Sequence, residues 1–203
     1  MPAVSFALFD TLVEADPPAD PADAVGAALR DRDAAVPADW ADAYRETHVD
    51  APAGAEVPLP AHVSRALASR GVDAPANAAR RAVVAAFDPD VRTREGAVEA
   101  VAAARERGPV GLLANCAVPE LVGRTLVRSA LARDDFDAVV SSVASGWRKP
   151  DPRSFEHVAD ALGVPADGLT HVGSDPAVDG GVTAVGGRFV ETLGDVDDAL
   201  RRD

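Results

Sequence analysis

Lys149 is the single lysine in a chain of 203 residues, set in Gly146-Trp147-Arg148-Lys149-Pro150-Asp151-Pro152, and every other side chain of fixed positive charge is arginine. A compact ammonium can meet one small anionic group at close range, where arginine's planar fork is no substitute. Other chemically capable residues stand just past short apolar runs. Asp10 follows 4–9, Asn115 and Cys116 follow 110–113, and Ser174, Asp175 and Asp179 follow 169–172. Carboxylates, an amide, a hydroxyl and an ammonium can together hold or attack a small polar ligand. Lys149 with Asp179 is also the pairing expected of a buried ammonium with no ligand at all, because a lone buried charge is costly.

The apolar runs are the elements that must position these groups. Strands are expected at 4–9, 110–113, 138–141, 169–172 and 187–190. Helices are expected at 93–107, 119–132 and 153–162, with a short one at the C-terminus. Strict alternation of strand and helix argues for a parallel sheet covered on both faces. The stretch 14–90 differs, being alanine-rich and punctuated by Pro37, Pro52, Pro58, Gly71, Pro75 and Pro89. It reads as helices at 22–31, 38–49, 60–69 and 76–87. The expected architecture is therefore α/β, a Rossmann-like doubly wound parallel sheet with an inserted helical-bundle cap. Residues 1–13 and 91–203 would form the core and 14–90 the cap.

Composition narrows the function. A hydrophobic fraction of 47% rules against disorder, and a net charge of −13 leaves no basic surface to neutralise nucleic-acid phosphates. Arginine in place of lysine and abundant aspartate resemble the composition of proteins from salt-loving archaea. A small anionic ligand entering one local positive pocket remains an expected partner, as does a second copy of the chain docking through the cap. Cys116 is the lone cysteine, so no intramolecular disulfide forms. No run approaches the ~18 apolar residues needed to span a bilayer, and the N-terminus carries no leader pattern. The expected location is cytoplasmic, away from membranes.

Four segments resemble the motifs of the haloacid-dehalogenase superfamily of hydrolases. Phe6-Ala7-Leu8-Phe9-Asp10-Thr11-Leu12-Val13 is similar to the opening motif, written Phe-Asp-x-Asp-Gly-Thr-Leu-Val or Phe-Asp-x-Phe-Gly-Thr-Leu-Val. Leu112-Leu113-Ala114-Asn115 is similar to the second, Arg148-Lys149-Pro150-Asp151-Pro152 to the third, and the run from His171 through Gly181 to the fourth. Their order and the helical insert after the first motif match as well. The resemblance implies a fold with a core and a helical cap, and a hydrolase in which the first-motif aspartate attacks the substrate covalently.

The same resemblance exposes four degenerate positions. Ala7 stands where the nucleophile belongs, and Phe9 where the phosphatase branch has its second acid. Ala114 replaces the second-motif hydroxyl, and Ser174 the first carboxylate of the fourth motif. Asn115, Lys149, Ser174 and Asp179 remain as ligand-binding candidates, and Ser174 also suits the metal-free dehalogenase branch. Magnesium needs oxygen ligands, including one or two carboxylates, so no metal or other cofactor is expected.

The leading expectation is a degenerate, non-catalytic member with a binding or interaction role. The alternatives are a hydrolase, phosphatase or 2-haloacid dehalogenase, with Asp10 or Cys116 as nucleophile, and a non-catalytic oligomer subunit. Asp10 as nucleophile requires a three-residue shift, which turns the side chain to the other face of a strand. Cys116 has only His171 as a candidate activator. His48, His62 and His157 are expected to be ordinary polar residues and Trp147 a loop anchor. Trp40 and Tyr44, four apart on a helix, should form one contact.

Overall fold

The computed structural model describes residues 3–75 and 77–201, so the expected helix start at Ala76 and the chain ends at 1–2 and 202–203 lie outside the described residues. In chain order the elements are β1 (Ala3–Phe6), β2 (Val13–Glu14), α1 (Pro21–Arg30), α2 (Trp40–Arg45), α3 (Leu59–Ser69) and α4 (Ala78–Ala86). They continue with β3 (Arg92–Thr93), α5 (Ala97–Arg105), β4 (Val110–Ala114), α6 (Leu121–Arg128), β5 (Ala138–Ser141) and α7 (Ser142–Ser145). The chain ends with α8 (Pro152–Leu162), β6 (Leu169–Val172), β7 (Arg188–Val190) and α9 (Val196–Leu200).

β1 lies at the centre of a five-stranded sheet of order β5-β4-β1-β6-β7, in which every adjacent pair is parallel. The chain builds outward from β1 to β4 and β5, then crosses back to add β6 and β7 on the other side. Side chains alternate across each strand, and the two faces carry separate cores. Val4, Phe6, Leu112 and Val172 pack with α5 and the helical insert, while Ala3, Leu113 and Leu169 pack with Phe155 and Val158 of α8. The expected α/β doubly wound class is thus found, with the C-terminal ends of β1, β4 and β6 side by side.

Boundaries shift where tertiary pairing decides them. The strand expected at 4–9 stops at Phe6, because residues 8–13 turn back on themselves: Leu12 N and Val13 N both donate to Leu8 O (2.9 and 3.0 Å). The helix expected at 38–49 is only Trp40–Arg45, and the one expected at 119–132 only Leu121–Arg128. The helix expected from 93 begins at Ala97, because Arg92 and Thr93 pair with Glu14 and Val13 in an antiparallel ribbon. That ribbon sits where the chain leaves the sheet for the four-helix insert and where it returns.

Within the insert, Trp40 lies on Gly26 of α1 and donates its indole N–H to Ala22 O at 2.7 Å. Trp40 and Tyr44 meet edge to face with ring centroids 5.6 Å apart, as expected from their spacing. His62 packs edge-on to Tyr44 and bonds its carbonyl, and His157 bonds Arg153 O. No helix among the described residues is long and apolar enough to cross a membrane. A methyl at Gly26 would stand 2.8 Å from the buried indole. Gly26→Val should therefore destabilise the fold by about 1–3 kcal/mol, read as a lower urea midpoint followed by tryptophan fluorescence.

Candidate functional site

At the C-terminal edge of the sheet, Ala7, Phe9, Asp10, Ala114, Asn115, Lys149, Ser174, Asp175 and Asp179 line one cavity of about 210 Å³. The residues singled out by type and spacing are therefore brought together, on the tips of β1, β4 and β6 and on the loop before α8. Cys116 is not among them. Its thiol is buried and donates to Val118 O at 3.3 Å, and burial pushes its pKa up, which suppresses the thiolate.

Beneath the cavity runs a buried polar chain. Lys149 Nζ meets Asp179 Oδ1 at 2.6 Å, with both side chains no more than 5% exposed. His171 Nε2 lies 3.2 Å from the same oxygen, and its Nδ1 lies 2.8 Å from Ser5 Oγ. Asp175 N donates to Asp179 Oδ2 at 3.0 Å. Ser5 and His171 are direct partners in the β1–β6 register, so they present their side chains to one face. Gly173 is required by this packing, because a Cβ there would fall 2.2–2.5 Å from the Asp179 side chain.

Electrostatics follow from this geometry. Burial, joined by the Lys149 charge, lowers the His171 pKa to about 4, so its ring is neutral at pH 7. With Nε2 facing a carboxylate, the consistent tautomer donates from Nε2 and accepts the Ser5 hydroxyl at Nδ1. Burial works against ionised Asp179, but His171 and Lys149 outweigh it and hold the carboxyl well below its usual range. Burial pulls the Lys149 pKa down, and Asp179 opposes the shift.

The remaining groups are also committed. Asn115 is a clamp on the Lys149 backbone: Nδ2 donates to Lys149 O at 2.9 Å and Oδ1 accepts from Lys149 N at 2.8 Å. Thr11 Oγ1 accepts from Ser174 N at 3.1 Å and donates to Ser174 Oγ at 3.3 Å. The sequence reading missed Ser5 and Thr11. Ser5 was discoverable as the one polar residue inside an apolar strand, and Thr11 as the hydroxyl of the opening motif, but its pairing with Ser174 was not.

Ala7 N donates to Val172 O at 2.8 Å, and its methyl lies in the cavity wall. Asp10 has φ 61, in the left-handed region that glycine and short polar residues tolerate best. The opening motif places a glycine at this position when Ala7 takes the nucleophile's place, so the backbone agrees with the unshifted register. Asp10 is exposed, its N donates to Val13 O, and its carbonyl accepts from Arg94 Nη1 at 2.9 Å.

Chemically, the cavity holds three carboxylates, Asp10, Asp175 and Asp179, against one ammonium already covered by Asp179. An anion held by Lys149 would have to displace that carboxylate. Magnesium, implied by the phosphatase branch of the resemblance, does not fit these donors. The Ala7 side chain offers no oxygen, both Asp179 oxygens are occupied, and no group of three or more His, Cys, Asp or Glu side chains able to hold a metal occurs among the described residues.

A family profile described as haloacid dehalogenase-like hydrolase matches residues 11–181. The chain belongs to the haloacid dehalogenase-like hydrolases. The match begins just past Ala7, Phe9 and Asp10. Among solved members, a 2-haloacid dehalogenase from Pseudomonas syringae pv. Tomato DC3000 superposes with TM-score 0.66 at 18% identity, covering 100% of this chain and 99% of that one. L-2-haloacid dehalogenase from Xanthobacter autotrophicus, with chloropropionic acid covalently bound, gives 0.58 at 18% identity over 99% and 98%. CbbY from Rhodobacter sphaeroides in complex with phosphate gives 0.58 at 16% over 93% and 85%. At these identities the likeness is one of fold. Phosphatase MT3486 from Mycobacterium tuberculosis (strain CDC 1551 / Oshkosh) is 44% identical over 62 residues, 30% of this chain and 28% of that protein.

His171 makes the stability of this haloacid dehalogenase-like protein depend on pH. Its folded pKa of about 4 lies below the unfolded value of 6.5, so the unfolded chain binds the extra proton first as acid is added. Stability is full above pH 6.5 and falls by about 3 kcal/mol as the pH drops to about 4. His171→Gln should flatten this stretch of a pH series of denaturation midpoints. Asp179→Asn, which strands the buried ammonium, should cost about 3–5 kcal/mol at pH 7.

Proposed function

We propose that this chain is a degenerate member of its family that no longer hydrolyses, and that it serves as a binding or interaction protein. The observation that carries the reading is that Ala7 and Phe9, which the motif resemblance aligns with the family's attacking and proton-donating carboxylates, line the strand-tip cavity. Ala114 in place of the hydroxyl and Ser174 in place of a carboxylate agree with it, as does a family match that starts only at Thr11. Removing the nucleophile of a covalent enzyme costs about a million-fold in turnover. Asn115, Lys149 and Asp179 stay because they hold the loop before α8 to the strand tips, a demand of packing that outlives the reaction. The helical insert then acts as a cap that offers surface to a ligand or to a second copy, in the salt-rich interior that the acidic composition suits.

One observation favours a second reading, a hydrolase using Asp10: its side chain borders the same cavity as Asn115 and Lys149. Against it stand the left-handed backbone at residue 10 and the commitment of the ammonium to Asp179.

Purified protein in molar salt should leave a panel of phosphate esters and 2-haloacids unchanged. Peptide mass mapping after incubation with a fluoride-based phosphate mimic or a 2-haloacid should show no adduct on Asp10 or Cys116. Turnover that disappears in both Asp10→Asn and Asp179→Ala would sink the non-hydrolytic reading in favour of the second.

A further inference from the structure

A second cavity, of about 500 Å³, opens where the insert meets the core, walled by α4, α6 and the turn that follows α1. Its charged lining is Arg32, Arg80, Arg81 and Arg124 against Asp88 and Glu120. A local excess of arginine is out of keeping with a chain of net charge −13. Both carboxylates are already taken. Asp88 receives Arg124 at 2.9 Å and Arg128 at 2.7 Å, and Glu120 receives Arg80. The guanidinium of Arg81 has no ion pair or hydrogen bond among the described residues, and that of Arg32 donates only to the carbonyl of Ala28, at 2.7 Å. Guanidinium groups remain without anionic partners on a concave surface.

Two further features define the site. Arg80 and Arg81 stand in the first turn of α4, which carries no acidic residue. The helix dipole is positive at that end, so cations there are unfavourable unless an anion joins them. Arg124 is rigidly placed, donating to Val84 O at 3.0 Å and Phe87 O at 2.7 Å, and it thereby fixes α6 against the end of α4. Guanidinium forks arriving from two helices and the turn after α1 suit an acceptor with oxygens pointing in several directions. A phosphoryl group offers that, whereas a single planar carboxylate satisfies one fork. The volume falls within the usual size of small-ligand sites.

We propose that this cavity binds a small, multiply charged phosphorylated anion, held by Arg32 and Arg81 with support from Arg80 and Arg124. Because the holding residues come from both insert and core, the ligand ties the two together and stabilises the folded chain by mass action. The site is separate from the strand tips and does not depend on whether they hydrolyse anything.

Inorganic pyrophosphate is the probe, titrated calorimetrically into the full chain at the lowest salt that keeps its circular dichroism native. One-to-one binding is expected, with a matching rise in Tm. Arg81→Glu should weaken it by more than about tenfold, or about 1.4 kcal/mol, and Arg32→Gln should weaken it to a smaller degree. Arg65→Glu, the same charge change on α3 away from the cavity, should leave binding unchanged. Circular dichroism establishes that each variant is folded before its titration is read. Absence of binding by the unaltered protein, or equal weakening by Arg81→Glu and Arg65→Glu, overturns the proposal.

Discussion

The ion pair between Lys149 and Asp179 is the constraint around which the strand tips are arranged. Burying an ammonium and a carboxylate is costly, and the attraction between them offsets that cost only when the geometry is close and the remaining hydrogen-bonding positions are filled. Here the contact is 2.6 Å, the second carboxylate oxygen takes the Asp175 amide, and His171 completes the first. Asn115 holds the lysine from behind through both of its backbone polar groups. Gly173 stays bare of a side chain so that Asp179 can fold over it. Removing either charge leaves the other stranded, so the pair has a structural reason to be kept.

The polar groups at this edge carry structural work. Ser5, Asn115, Lys149, His171 and Asp179 knit three strands and a loop together. Ala7 and Phe9, just past the end of β1, line the same cavity with side chains that have no polar atom, so they add no buried donor or acceptor that needs a partner.

The insert is joined to the core by more than its two chain crossings. The β2–β3 ribbon spans the crossings, and Ala55 bridges Trp147 in antiparallel fashion. Arg148 N donates to Gly54 O at 2.9 Å, and Glu56 accepts the Ser142 hydroxyl at 2.6 Å while Ser142 in turn receives Cys116 N. Arg153 stacks on Trp147, 3.2 Å from the ring centre, so the tryptophan anchors its loop. Arg124 adds a junction on the far side. Trp147 as a loop anchor was expected; the other ties join segments distant in the chain, which is why their partners could not be foreseen.

Much was legible without coordinates. Alternating apolar runs and helical stretches announced a parallel sheet, since strands buried on both faces must be apolar throughout, and the proline-punctuated alanine-rich stretch announced helices between β1 and the rest. The lone lysine and its pairing with Asp179 could be anticipated, because a buried charge needs an opposite one. Three-dimensional packing alone decided where β1 ends, since the turn at residues 8–13 closes through backbone bonds that any sequence can make. It also decided that Ser5 and His171 complete the polar chain, that Asn115 is spent on the Lys149 backbone, and that arginines from α4, α6 and the turn after α1 gather at one cavity. Local patterns encode which face of an element is buried, but the neighbour met there depends on how distant segments are brought together.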